Sequence, residues 1–446
     1  MTSQQHGAEH ASPHSHSHGH RHADEDMLSV EEAYERIMAS FRPLEAEEKP
    51  LLECIGQVLA EDISSPLALP PLDNSGMDGY ALRHGDIAGA SQENPKNLRV
   101  IGVVAAGQMP DKSVAPGTAI RIMTGAPVPG GADTVVPFEE TDEVQRKREG
   151  KPLDQVAIFA DLPVGCNVRP AGEDVSRGAL VLEKGTVVRA AEIGVIASLG
   201  LDQVKVIRRP VVAVLATGDE LENLGAPLSG GKIYDSNSFS VAASVLASGG
   251  VAKILGIARD NLDDLNAKLE AAAGTDLVVT SAGVSKGDYD IVKDVLNQRG
   301  EMNFWSVRMR PAKPLAFGHL RGPGGENIPL LGLPGNPVSA MVAFEMFARP
   351  AIRTMLGKAH IPRPVVEGVL TGPIHNDDGR RVYARVEVEL KDGKYQATPT
   401  GPQGSNILTS MSKANGLTIC PEDLPGKKAG EQVQIIMLDW NEEVQV

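Results

Sequence analysis

Cysteine is scarce in this chain: three thiols, Cys54, Cys166 and Cys420, stand far apart among 446 residues. An odd and scattered set forms neither a disulfide framework nor a CxxC metal motif, and it fits a reducing compartment. Positive charge is also short. Lys and Arg number 43 against 58 Asp and Glu, for a net charge of −15. That argues against a general nucleic-acid or anionic-membrane binder while leaving room for a local basic pocket. No apolar run approaches the length of a membrane span, and the first residues are polar and His-rich rather than a signal peptide, so the cytoplasm is the expected location. Neither a GxxxxGK[ST] P-loop nor a GxGxxG fingerprint occurs, which argues against an ATPase or a nicotinamide enzyme. Outside residues 1–26 the histidines are His84, His319, His360 and His375. They lie near no nucleophile elbow, so no Ser-His-Asp or Cys-His reading is supported.

What is present is an ordinary globular composition, 41% hydrophobic and 23% charged, in a chain too long for one compact core. Seven of the eleven histidines (His6, His10, His14, His16, His18, His20 and His22) crowd residues 1–26 among Ser, Gly and acidic residues. No core can form there; the segment reads as a disordered tail with incidental metal affinity, or else as a metal delivery or storage element. Structure is expected to begin at Ser29-Val30-Glu31-Glu32, a capping box with Ala33, Ile37, Met38 and Phe41 at helical spacing behind it.

The coarse reading gives a fold of the α/β plus β class. Short strands with Gly and Pro punctuation over 98–158 predict a small β domain inserted into a unit that begins near Ser29 and resumes at 165–207. The near-continuous apolar run Val211-Val212-Ala213-Val214-Leu215-Ala216 reads as a strand buried on both faces. It opens an alternation of strands and helices that implies a parallel sheet with right-handed crossovers. Beyond Pro350 the texture returns to alternating strands. The expected division is a tail (1–26), a linking domain in two segments (27–59 and 165–207), an inserted β domain (60–164), an α/β domain (208–358) and a C-terminal, β-barrel-like domain (359–446).

One stretch organises the α/β part. Leu277-Val278-Val279-Thr280 stops at Ser281-Ala282-Gly283-Val284-Ser285-Lys286-Gly287-Asp288-Tyr289-Asp290 and re-enters an apolar periodic segment. Strand, Gly-rich loop and helix in that order suit an anion, and the loop's two carboxylates would need a cation between them and a phosphate. An ordinary βα turn whose Asp residues cap the helix fits the same residues. Asp219, Glu220 and Asp260 stand at other expected strand exits, with Arg308, Arg310 and Lys313 further along the same α/β part. Both signs together suit an anionic substrate bridged by a divalent cation. Asp73-Asn74-Ser75-Gly76-Met77-Asp78 invites an EF-hand reading but breaks the ligand pattern, with Met77 at the fifth position and His84 where Glu must stand.

Five motifs, Pro71 to Tyr80, Arg121 to Ala126, Thr217 to Leu221, Ser281 to Asp290 and Leu333-Pro334-Gly335-Asn336-Pro337, resemble those of the MoeA family, the molybdopterin molybdenumtransferases, which include the gephyrin E domain. They follow the family's order from about Leu28 to the C-terminus. The resemblance implies a molybdopterin-binding α/β domain and insertion of molybdate into adenylylated molybdopterin, with Mg²⁺-assisted release of AMP. It also implies an elongated homodimer with a composite active site, and it allows transient contact with other enzymes of molybdenum cofactor synthesis. Functional positions carry over onto Asp73, Thr124, Arg169, Asp174, Glu220, Asp260, Asp290, Arg310 and Ser405. Of these, Glu220, Asp260 and Asp290 would hold Mg²⁺ or orient water. Ser281, Gly283, Ser285, Lys313, Pro334 and Pro337 join Arg169, Asp174 and Ser405 in substrate binding. Two positions depart from the family pattern: Ser306 stands where a Lys often follows the Trp, and Ala312 where Gly is usual. Losing a cation beside an oxyanion removes a contact worth roughly 1.5 to 3 kcal/mol unless Arg308 reaches the same place. A scaffold protein with a vestigial pocket and an adenylyltransferase are the competing classes. The first two motifs lie outside the α/β part and speak against the adenylyltransferase.

Overall fold

A computed structural model describes residues 27–259, 261–282, 300–322, 324–441 and 443. The chain divides into two compact units, one of 1–47, 56–58 and 207–446, the other of 48–55 and 59–206.

In the first unit the strands Val251–Ala258, Val211–Thr217, Leu277–Ser281 and Asn327–Leu333 lie side by side in that order, all parallel. The expected parallel sheet is extended by two antiparallel strands, Pro314–Arg321 and then Gly300–Ser306. The links 307–313 and 322–326 are too short for a crossover, which takes a dozen or more residues, so these strands return as hairpins. Side chains alternate between two cores, as a period of two requires. Val212, Val214, Leu277, Val279, Leu331 and Leu333 face the helices Asn237–Ala247 and 337–355. Ala213, Leu215, Val278 and Leu330 face the helix Leu262–Glu270. The helix Val30–Met38 starts at the expected capping box, with Ser29 Oγ accepting from Glu32 N at 3.1 Å. It buries Val30, Ala33 and Ile37 in the first of these cores.

The C-terminal strands close on themselves. Arg381–Lys391, Lys394–Pro399, Val365–Leu370, Gln432–Met437 and Gly416–Cys420 pair in sequence around a ring, the last returning to the first. Closure removes the free sheet edges. Met309–Arg310 pairs in parallel with Arg381–Val382, which ties this barrel to the α/β sheet beside Arg310.

The second unit holds a five-stranded sheet of Thr134–Pro137, Gly79–Leu82, Thr118–Ile122, Lys96–Val104 and Gln155–Ile158 in spatial order. A separate core of Cys54, Leu59, Ile63, Val188, Ile196 and Val206 forms around the helix Ala190–Ser198. Among the described residues no helix is long and apolar enough to cross a membrane.

Candidate functional site

The parallel strands were laid down out of order. Val211–Thr217 is followed in the chain by the edge strand Val251–Ala258 on one side, and the chain then crosses to Leu277–Ser281 on the other. Such a reversal leaves a crevice at the carboxyl ends of the two central strands, since the connections depart in opposite directions. Ala216 is level with Ser281, and Ser281 with Leu333. A cleft of about 920 Å³ opens there, lined by Thr217, Glu220, Ser281, Pro334 and Pro337 from the strand exits. Arg310, Lys313, Arg380, Gln403 and Ser405 add a polar and cationic wall. The helices beginning at Asn237 and Pro337 turn their first residues into the cleft, and the positive end of a helix dipole favours anions.

Of the residues expected from sequence, this cleft unites Glu220, Ser281, Arg310, Lys313, Pro334, Pro337 and Ser405. Asp260, Gly283, Ser285 and Asp290 lie outside the described residues. Asp73, Thr124, Arg169 and Asp174 belong to the second unit. There Asp73 lines a smaller pocket of about 480 Å³, and its Oδ1 accepts from Ala171 N at 2.7 Å. Asp174 N donates to Leu69 O at 2.9 Å, and Arg169 pairs across a two-residue ladder with Asn74. The backbone N–H and then the hydroxyl of Thr124 donate to Asp78 Oδ1, at 2.7 and 2.8 Å, and hold that carboxyl below its usual range.

The cleft's cations are held in place from behind. Arg310 donates to His375 O and sits 3.6 Å from Asp378 Oδ2, which also receives Arg380. Burial alone would raise the Asp378 carboxyl, but Arg380 and then Arg310 keep it below the usual carboxylate range. One carboxylate therefore positions two guanidiniums on the same wall. Arg385, 1% exposed, donates to Ser410 Oγ at 3.0 Å and to Gly404 O at 3.1 Å, and burial pulls its pKa down to about 10. It braces the loop that brings Gln403 and Ser405 to the cleft. Sequence reasoning missed Arg380 and Gln403, and Arg385 behind them, because only closure of the barrel carries the first two to the α/β site and sets the third against their loop. Asn237 also lines the cleft.

Backbone conformation bears on two positions. Ala312 has φ +78°, a left-handed conformation that costs an L-residue roughly 1 to 2 kcal/mol and explains why glycine suits that turn. Gly218 has φ +138°, and a Cβ added there would come within 2.3 Å of the Glu220 carboxylate. Gly218→Ala is expected to displace Glu220 and lower turnover by about tenfold or more, with a stability loss of about 1 to 3 kcal/mol from the strained backbone. Assay and thermal melt together check this; unchanged turnover would show that the position of Glu220 is immaterial.

The fold and the site define a multidomain protein whose α/β sheet carries a cation-lined crevice at its switch point and is joined to a closed β-barrel. Family models match along nearly the whole chain: "MoeA N-terminal region (domain I and II)" over 28–200, "Probable molybdopterin binding domain" over 213–354 and "MoeA C-terminal region (domain IV)" over 367–438. Molybdopterin molybdenumtransferase 2 of Mycobacterium tuberculosis (strain CDC 1551 / Oshkosh) is 39% identical over 420 residues, 92% of this chain and 99% of that one. Molybdopterin molybdenumtransferase of Bacillus subtilis (strain 168) is 35% identical, covering 92% and 94%. The crystal structure of a molybdopterin biosynthesis MoeA protein from Pyrococcus horikoshii superposes with a TM-score of 0.77 at 31% identity, over 93% of this chain and all of that one. The chain belongs to the MoeA family and is a transferase with a role in molybdenum cofactor biosynthesis.

Proposed function

We propose that this chain transfers molybdate into adenylylated molybdopterin and releases AMP, with the cleft at the ends of Val211–Thr217 and Leu277–Ser281 as the reaction site. The observation that carries this reading is the meeting of Glu220, Ser281, two helix starts and the cations Arg310, Lys313 and Arg380 around one crevice. Molybdate is a substrate and already an oxyanion, so the protein has mainly to position it and to stabilise charge on the departing phosphate. The helix starts add the positive ends of their dipoles; the three cations neutralise oxygens of molybdate and phosphate.

Among the described residues no group of three or more metal-ligating side chains occurs. The cleft carboxylate Glu220 still fits Mg²⁺, which commonly binds through one or two carboxylates plus substrate phosphates. Glu220, with Asp260 and Asp290 by resemblance to the family, would hold Mg²⁺, which when bound supplies Lewis-acid neutralisation of the phosphate. The reaction is tested by offering the purified protein adenylylated molybdopterin, molybdate and Mg²⁺. AMP release that depends on molybdate is expected, and release indifferent to molybdate would refute the transfer.

We further propose a homodimer in which Asp73 and Thr124 of one subunit serve the Glu220 cleft of the other, as the family resemblance suggests. Mixing Asp73→Ala with Glu220→Ala subunits by co-refolding should then restore roughly a quarter of wild-type activity, since half the dimers are mixed and each has one intact site. No recovery, with mixed dimers shown to have formed, would rule out the shared site. Residues 1–26 hold no periodic apolar pattern. Their deletion is expected to leave turnover at saturating molybdate within about twofold; a tenfold loss would overturn that.

A further inference from the structure

One stretch of the cleft wall presents an exposed aromatic and an exposed aliphatic side chain beside its polar and cationic groups. Leu221 and Ile233 are partners in the short parallel ladder between Leu221–Glu222 and Ile233–Tyr234, and all of these but Glu222 line the cleft. Ile233 is 58% exposed and Tyr234 40%. The backbone beneath them is held firmly: Ile233 N donates to Glu220 O at 2.9 Å and Asp235 N to Glu222 O at 3.0 Å. The phenol of Tyr234 donates to Ala226 O at 2.9 Å, so the ring is anchored at both ends. An aromatic ring placed for the core would be covered by its neighbours; this one is held rigid and left open, which lowers the entropy cost of using its face.

Asn237, three residues on, completes the pattern. Its Nδ2 donates to Gly335 O at 2.7 Å, which leaves Oδ1 as the acceptor. That atom is buried and has no hydrogen-bond partner among the described residues. Buried acceptors are nearly always satisfied, so an orphan in a binding cleft points to a donor that arrives with the ligand. A planar ring carrying N–H groups on its edge meets both requirements.

We propose that Tyr234 and Asn237 form the subsite for a planar amino-heteroaromatic ring of the substrate, Tyr234 by stacking and Asn237 by accepting a ring-edge N–H. This rests on the cleft being the substrate site and goes beyond it by assigning the ring. A nucleobase and a pterin both have the required chemistry. Three probes separate them on the full chain by titration calorimetry: adenosine 5′-monophosphate, 6-carboxypterin and ribose 5-phosphate. Tyr234→Ala is expected to weaken one of the ring-bearing probes by about tenfold or more, within the range a stacked base carries, and ribose 5-phosphate by less than about twofold. The responding probe names the ring. Tyr234→Phe, which keeps the ring and loses the Ala226 contact, should stay within about threefold of wild type, a rescue that a purely structural tyrosine would not show. If Tyr234→Ala leaves both ring probes unchanged, or weakens all three equally, the subsite is overturned and the cleft stands. If the wild-type chain binds none of the three, the reading of the cleft fails and the subsite falls with it.

Discussion

Glu220→Ala is expected to reduce molybdate-dependent AMP release by about 100-fold while leaving the fold intact, because its carboxylate is exposed in the cleft and packs in no core. Removing one preorganised group that acts on transition-state charge typically costs 10²- to 10³-fold. Glu220→Gln separates charge from shape: it keeps the volume over Gly218 and loses the anion. If the carboxylate helps to hold Mg²⁺, Gln should be nearly as damaging as Ala, and raising Mg²⁺ should recover part of the loss. Circular dichroism and the thermal midpoint should match wild type for both variants. Parallel loss of signal and activity would mean that Glu220 stabilises the loop after Thr217 and does no chemistry.

Glu345→Ala should give the largest stability loss among simple substitutions. Arg349, 2% exposed, places Nε 2.6 Å from Glu345 Oε1, and Arg363 Nε lies 2.7 Å from the same oxygen. Arg349 Nη2 also donates to Ile361 O at 2.9 Å. Removing the carboxylate breaks a buried ion pair, which costs about 3 to 5 kcal/mol, whereas replacing such a pair by apolar residues of like volume is often neutral. A sharply lowered urea midpoint is expected for Glu345→Ala and substantial recovery for Glu345→Leu combined with Arg349→Met. The helix concerned begins at the cleft, at Pro337, so activity should fall along with stability. A loss under about 1 kcal/mol would show that water or a rearranged side chain satisfies Arg349.

How much of this was legible beforehand differs from element to element. The run from Val211 to Ala216 announced a strand covered on both faces, and Ser29-Val30-Glu31-Glu32 announced a helix start; each depends on neighbours in the chain. The strands Gly300–Ser306 and Pro314–Arg321 followed the same chemistry, but their antiparallel direction came from link lengths that the alternation pattern concealed. Glu220, Ser281, Arg310 and Lys313 were identifiable because they sit on strand exits or in motifs that resemble the family's. Their convergence with Ser405 was expected only through that resemblance.

The amino-acid sequence by itself determined the class, the family motifs and the carboxylates and cations on offer, because periodicity, capping and short motifs are local properties of the chain. Tertiary structure decided which of them meet. Arg380 and Gln403 reach the cleft, and Arg385 braces the loop behind it, because the barrel closes and pairs with Met309–Arg310. Asp378 ties two guanidiniums together, and Tyr234 is held open by the Ala226 carbonyl. Each of these depends on contacts between residues far apart in sequence or on what leaves a surface uncovered, and neither quantity is written in any local pattern.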